Sequence, residues 1–131
     1  MIVVDCSYTL AMVMPDERVP ASMSQVAAAR MLVPSIWPYE VANAFRNAIR
    51  RRRVDETAIT GVCARIEGLG IEVVPTHDAG VRQHFAVAAA HGLTAYDAAY
   101  VELALQRRCT LATLDAKLAD AARNAGLAIL S

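Results

Sequence analysis

Along this chain, short β-branched runs alternate with longer stretches that repeat apolar residues at helical spacing. Ile2-Val3-Val4 ends in Asp5 and reads as a buried strand. Ser7 is placed to cap a helix that begins near Tyr8, and Pro15-Asp16-Glu17 to end it. A second helix opens at Pro20 and runs to about Arg30. Met31-Leu32-Val33, stopped by Pro34, predicts a second strand. Pro38 suits the first turn of a helix that runs to about Arg53, and another helix spans about Asp55 to Gly68. Gly70 introduces the strand Ile71–Val74, closed by Pro75. An Ala-rich helix from Asp78 to His91 stops at Gly92. Thr94 begins the next helix, from about Ala95 to Arg108. Thr110–Thr113 is a fourth strand, Asp115–Asn124 a last helix that stops at Gly126, and Leu127–Leu130 a final strand.

Helices that alternate with short, mostly apolar strands argue for an α/β fold whose parallel sheet is covered on both faces. The 131 residues suit one domain, 1–131, because a second would be too small to hold its own core. No internal repeat, linker or low-complexity stretch interrupts the pattern beyond its richness in Ala.

Composition narrows the function classes. The hydrophobic fraction of 56% excludes a disordered chain, and 20% charge excludes a polyelectrolyte. The 13 basic and 13 acidic residues cancel, so any nucleic-acid contact must come from a local patch. Cys6, Cys63 and Cys109 form no C-x-x-C pair and read as small buried apolar residues of a reducing compartment. An acid at the fifth residue argues against a signal peptide, and no apolar run reaches the roughly 18–20 residues of a membrane span. The expectation is a soluble, cytoplasmic protein with no membrane contact.

Most acids fall in turns, at helix ends or on polar faces and need no further reason. Asp5, Glu40, Asp97 and Asp115 stand apart. Asp5 ends the first strand and Asp115 lies just past the fourth, and ligands of open parallel sheets bind beyond the carboxyl ends of the strands. Each also fits a plainer role, Asp5 as a turn carboxylate and Asp115 as a helix cap. Glu40 lies at the edge of the stripe Val41, Ala44, Phe45, Ala48 and Ile49, in line with Asn43, Asn47 and Arg51. The helix dipole alone explains an acid in that first turn, but not its place at the core margin. Asp97 faces Tyr100, Val101 and Ala104; Thr94-x-x-Asp97 fits a capping box, yet an isolated charge on that face is expensive. Four acids on one rim repel each other, and the usual reason to gather them is a hard divalent cation, Mg²⁺ or Mn²⁺. Ser7 and Thr113, each two residues from an acid, are placed to orient carboxylates or waters around it.

Arg46 and Arg50–Arg53 lie in a window, Val41–Val54, that contains no acid. Such charges hold a nucleic-acid backbone without reading sequence, and Arg46, Arg50 and Arg51 are the candidate RNA contacts. A solvated helix end, with cations at the negative pole, is the equal alternative. His77, His84 and His91 are spaced by seven, about 10 Å apart along a helix, too far to share one ion, and read as surface or partner-facing. Met12, Met14, Met23 and Met31 read as core or as a dimer seam.

Val3-Val4-Asp5-x-Ser7, Pro34-Ser35-x-x-x-x-Glu40-Val41-Ala42-Asn43-Ala44, Leu93-Thr94-Ala95-Tyr96-Asp97-Ala98-Ala99-Tyr100 and Leu111-Ala112-Thr113-x-Asp115 together resemble the four acidic motifs of PIN-domain ribonucleases. The resemblance is greatest to the toxins of bacterial VapBC toxin–antitoxin pairs. It covers essentially the whole chain, in order, and is most specific around Asp97. It implies a five-stranded parallel sheet in an α/β/α sandwich, Mg²⁺- or Mn²⁺-dependent endoribonuclease activity, a homodimer, and inhibition by a cognate antitoxin whose tail occupies the active-site groove. Asp5, Glu40, Asp97 and Asp115 match the family's acidic positions, and Ser7 and Thr113 the hydroxyl positions beside them.

The sequence reading is therefore a metal-dependent endoribonuclease that hydrolyses RNA phosphodiester bonds as the toxin of such a pair. Two alternatives stand beside it. A phosphotransfer domain also places an Asp at the end of its first strand, where Asp5 would form an aspartyl phosphate. A metal-binding scaffold module would gather the same acids without catalysis.

Overall fold

The computed structural model describes residues 1–75 and 79–131. The expected Asp78 start of the Ala-rich helix, and His77, lie outside the described residues. The strands are β1 (Ile2–Val4), β2 (Met31–Pro34), β3 (Glu72–Val74), β4 (Thr110–Ala112) and β5 (Ile129–Leu130). The helices are α1 (Cys6–Val13), α2 (Met23–Ala27), α3 (Trp37–Arg50), α4 (Glu56–Gly68), α5 (Val81–His91), α6 (Ala95–Arg107) and α7 (Ala116–Asn124).

The strands form one five-stranded sheet in the order β3-β2-β1-β4-β5. Every pairing is parallel, and Val3 lies between Leu32 and Leu111 in register. Successive strand residues point to opposite faces. Val3, Val4, Leu32, Val33, Leu111 and Ala112 are nevertheless all fully buried, so both faces of the central strands are covered. The fold is the expected α/β/α sandwich, with α6 packed across β1, β2 and β4. The two edge strands show the opposite pattern: Glu72 and Val73 on β3 are exposed, and Ile129 and Leu130 on β5 are only half-buried.

Chain reversal about β1 sets the position of the site. From β1 the chain builds outward through β2 and β3, then returns to the other side of β1 for β4 and β5. Such a switch point opens a crevice at the carboxyl ends of the two strands where the order reverses, here β1 and β4.

Several boundaries differ from the sequence reading. Asp5, not Ser7, caps the first helix: its backbone is extended and its side chain accepts the Tyr8 N–H, which leaves Ser7 inside α1. The helix expected over Pro20–Arg30 shrinks to Met23–Ala27, whose N-cap Ser22 makes no side-chain capping bond. Helix α3 ends at Arg50 rather than Arg53 because Arg52 turns to φ 56°, a left-handed conformation that cannot continue a right-handed helix. Gly92 ends α5 at φ 64°, where glycine carries no Cβ penalty. The three cysteines are half-buried free thiols rather than fully buried ones. His91 is half-buried and pairs with Glu102 of α6 at 3.0 Å. His84 is exposed, Met12, Met14 and Met31 are core residues, and Met23 packs against the core.

Candidate active site

Asp5 stands at the end of β1, where its backbone N–H extends the ladder to the Ala112 carbonyl at 3.1 Å. Its carboxylate is buried at 4% exposure. Oδ1 accepts from Tyr8 N–H at 2.8 Å and from the Ser7 hydroxyl at 2.8 Å. Oδ2 accepts from the Thr113 hydroxyl at 2.6 Å, across the gap between β1 and the end of β4. The Ser7 hydroxyl also lies 2.9 Å from Oδ2, so it straddles both carboxylate oxygens.

Both hydroxyls also accept, Ser7 from Leu114 N–H at 3.0 Å and Thr113 from Asp115 N–H at 3.0 Å. Each hydroxyl proton is already committed to Asp5, which leaves the 3.5 Å approach of Ser7 to Thr113 as a contact only. The network joins the β1 end to the β4–α7 turn. In that turn Asp115 caps α7 by accepting the Leu118 N–H at 3.0 Å, and is itself exposed.

Glu40 and Asp97 complete the group from two other helices. Glu40 lies half-buried in the first turn of α3, and the Tyr100 hydroxyl of α6 donates to its Oε1 at 2.5 Å. Asp97 is half-buried in the first turn of α6, where its N–H donates to the Thr94 hydroxyl at 3.1 Å. Thr94 thus fills the capping role read from Thr94-x-x-Asp97.

The carboxylates feel one another. Burial, and then Asp115, push the Asp5 carboxyl above its usual range, against the hydrogen bonds from Thr113, Tyr8 and Ser7. Burial raises Glu40, and Asp97 and Asp5 raise it further, while the Tyr100 bond opposes them. Burial and Asp115 raise Asp97, opposed by Thr94 and Lys117. Cys6, next to Asp5, is pushed up to about 12 by burial and then by Glu40, Asp5 and Asp97, so its thiol stays protonated. Burial and Glu40 drive the Tyr100 phenol far above its ordinary range, which keeps it a donor.

Each of the four acids feels at least one other: Asp5 feels Asp115, Glu40 feels Asp97 and Asp5, and Asp97 feels Asp115. Among the described residues, none of the four makes an ion pair. Among the same residues, no three Asp, Glu, His or Cys side chains converge closely enough to hold a metal ion as they stand. Capping and hydrogen bonds hold Asp5, Glu40 and Asp115 in their present poses. By chemistry the donor set still fits a hard divalent cation, being all carboxylate oxygen, negatively charged and unneutralised.

The arginine strip comes out smaller than its sequence window. Arg46, Arg50 and Arg51 are all exposed, and among the described residues they make no ion pair. Arg53 is withdrawn from the strip by Asp16 at 2.8 Å and Glu17 at 2.9 Å. Tyr100 is a contact of the candidate site that sequence reasoning misses. Its spacing of three from Asp97 is visible, but nothing in the sequence places it on Glu40.

The sequence profile of the PIN domain matches residues 2–124. This chain belongs to the PIN domain family. Among curated relatives, Ribonuclease VapC3 of Pyrobaculum aerophilum is 34% identical over 121 residues, covering 91% of this chain and 92% of that protein. Ribonuclease VapC9 of Mycobacterium tuberculosis is 32% identical over 120 residues, covering 92% and 90%. The crystal structure of PAE2754 from Pyrobaculum aerophilum superposes with a TM-score of 0.73 at 25% identity, over 98% of this chain and 81% of that one. FitAcB from Neisseria gonorrhoeae shares the fold, with a TM-score of 0.58 at 19% identity over 100% and 97%. Among the described residues no helix is long and apolar enough to cross a membrane.

Proposed function

We propose that this PIN-domain protein is a divalent-metal-dependent endoribonuclease, the toxin of a toxin–antitoxin pair, with residues 1–131 as its single nuclease domain. One observation carries the reading: four coupled carboxylates border the switch-point crevice, and no protein cation is paired with any of them among the described residues. The relatives named as VapC ribonucleases support the same chemistry.

Asp5, Glu40, Asp97 and Asp115 are the catalytic and metal-holding side chains of this reading. When bound, Mg²⁺ or Mn²⁺ supplies an activated water for in-line attack on phosphorus and offsets charge on the leaving oxygen. Ser7 and Thr113 hold the Asp5 carboxylate against rotation. Tyr100 keeps Glu40 oriented and lowers its hold on a proton. Arg46, Arg50 and Arg51 position the RNA backbone beyond the carboxylates. A cognate antitoxin protein and a second copy of the chain are the proposed partners, and the cytoplasm is the proposed compartment.

The test is incubation of purified protein with RNA and Mn²⁺. Wild type is expected to cut RNA, chelation to stop it, and Asp5→Asn and Asp97→Asn to abolish it. A beryllofluoride adduct on Asp5 without RNA cutting would instead identify a phosphotransfer domain. Mn²⁺ binding without cutting would identify a scaffold.

A further inference from the structure

Burial singles out a residue beyond the four acids and the two hydroxyls beside them. Among the described residues, the buried polar or charged side chains are Asp5, Thr9 and Thr113, at 4%, 0% and 1% exposure. Thr113 donates to the Asp5 carboxylate. Thr9, one turn along α1, donates its hydroxyl to the Asp5 backbone carbonyl at 2.8 Å, and its N–H reaches the same oxygen at 3.0 Å. A hydroxyl bonded to the carbonyl four residues back is common inside helices and by itself signals nothing. Here a second helix joins it: the Thr9 oxygen accepts the indole N–H of Trp37 at 3.0 Å. An indole nitrogen only donates, so the chain runs in one direction, from Trp37 to Thr9 to Asp5. Trp37 opens α3, is 6% exposed, and stands three residues before Glu40 on nearly the same face. Among the described residues, this is the one side-chain hydrogen bond between α1 and α3.

We propose that Thr9 and Trp37 are positioning residues of the metal site, which set the separation of the Asp5 and Glu40 carboxylates by fixing α3 against α1. The inference rests on the nuclease reading above. Stability does not require the chain of bonds. Thr9→Val together with Trp37→Phe would bury neither donor nor acceptor, and replacing both partners of a buried hydrogen bond by apolar groups is nearly neutral or stabilising. What apolar packing lacks is direction. Val41 and Phe45, on the buried face of α3, resist separation of the helix from the core, but many small slides keep such contacts. A directional bond selects one register. A site whose ligands come from two elements needs one register, because Mg²⁺ demands near-ideal geometry from its oxygen ligands. The division of labour follows from where each bond ends. Ser7 and Thr113 reach the Asp5 carboxylate and fix how it is turned. Thr9 reaches the Asp5 carbonyl and, through Trp37, fixes where the residue stands relative to the first turn of α3.

The test titrates Mn²⁺ into the full-length protein, read by the electron-spin signal of the ion, alongside thermal melts and RNA cleavage. Thr9→Val keeps the shape and deletes the hydroxyl. It is expected to weaken Mn²⁺ binding about 10- to 100-fold, as loss of an outer partner of a metal ligand does, and to lower kcat with KM for RNA nearly unchanged. Thr9→Ser restores the hydroxyl and is expected to bind Mn²⁺ as wild type does. Trp37→Phe removes the far donor and is expected to weaken Mn²⁺ binding by less. The double variant, Thr9→Val with Trp37→Phe, separates positioning from packing. Its stability loss should be smaller than the sum of the two single losses, while its Mn²⁺ affinity stays as low as that of Thr9→Val. Mn²⁺ affinity that returns along with stability in the double variant, or that is unchanged in both single variants, overturns the inference and leaves the nuclease reading intact. If Thr9→Val does not fold, unchanged affinity in Trp37→Phe alone overturns it. Wild type that neither binds Mn²⁺ nor cuts RNA overturns the nuclease reading, and the inference with it.

Discussion

Tyr100 on α6 donates its hydroxyl to Glu40 on α3 at 2.5 Å, and so ties two of the four acid-bearing elements together from within the core. Tyr100 is 1% exposed, so its hydroxyl finds its partner within the protein rather than in solvent. Tyr100→Phe keeps the ring and deletes the bond. Glu40 then loses the interaction that opposes its raised pKa, and its carboxyl titrates higher still. We expect a lower kcat with little change in KM, and an acidic limb of the pH–rate profile displaced upward. The stability cost should be about 1–3 kcal/mol, as for a hydrogen bond to a charged group. A pH–rate profile identical to wild type would show that Tyr100 only packs.

Asp97→Asn tests the carboxylate group without knowledge of the substrate. The change removes one charge, that of a carboxyl which raises the Glu40 pKa and whose own pKa is raised by burial and by Asp115. The cap is the Thr94 hydroxyl accepting from the Asp97 backbone N–H, so the substitution leaves that bond in place. The metal-free variant should melt at the same temperature as wild type or higher. Wild type should gain stability with Mn²⁺, roughly 2.7 kcal/mol at 100 times Kd, and the variant much less. Thermal melts of both proteins with and without Mn²⁺ decide the matter, and equal shifts would remove the case for a shared site.

The same raised carboxyls predict how metal-free stability depends on pH. Asp5, Glu40 and Asp97 bind protons more tightly folded than unfolded. Their contribution is therefore fully present at low pH and is lost as pH rises from the ordinary values of 3.8 and 4.5 through the folded ones. Asp16 works the other way: Arg53 lowers its pKa, and its contribution is lost only as pH falls below 3.8. The melting temperature should thus peak at mildly acidic pH and decline toward neutrality. Asp97→Asn should flatten that decline. A melting temperature that climbs steadily to neutral pH would contradict the burial of these groups.

Arg50→Ala combined with Arg51→Ala should weaken RNA binding and leave metal binding intact. The salt slope should flatten by roughly one unit for each phosphate that the variant no longer neutralises. Arg53→Ala serves as the control, because its guanidinium is engaged by Asp16 and Glu17. These are surface pairs, so its removal should cost about 1 kcal/mol or less and leave the salt slope nearly unchanged. Equal slopes for the double variant and wild type would make the strip a solvated helix end.

Local order was largely legible in the residues. Strands such as Ile2-Val3-Val4 announce themselves by β-branched runs that end in an acid or a proline, and α5 by an Ala-rich stretch before Gly92, because these preferences act within a few residues. Asp5, Glu40, Asp97 and Asp115 stood out too, since a carboxylate beside an apolar stripe or a strand end conflicts with its surroundings in sequence alone. Local preference did not choose between Asp5 and Ser7 as the first cap; both residue types serve, and the extended backbone at Asp5 decided it. Pairings between distant residues lay beyond the reach of periodicity. Thr113 meets Asp5 because β4 pairs with β1, Tyr100 meets Glu40 because α6 crosses the sheet beside α3, and Arg53 turns from the basic strip to Asp16 and Glu17 where α3 ends. Hydrophobic spacing says which face of an element is buried, but strand order and packing decide which other element it is buried against, and so which acids come to share one rim.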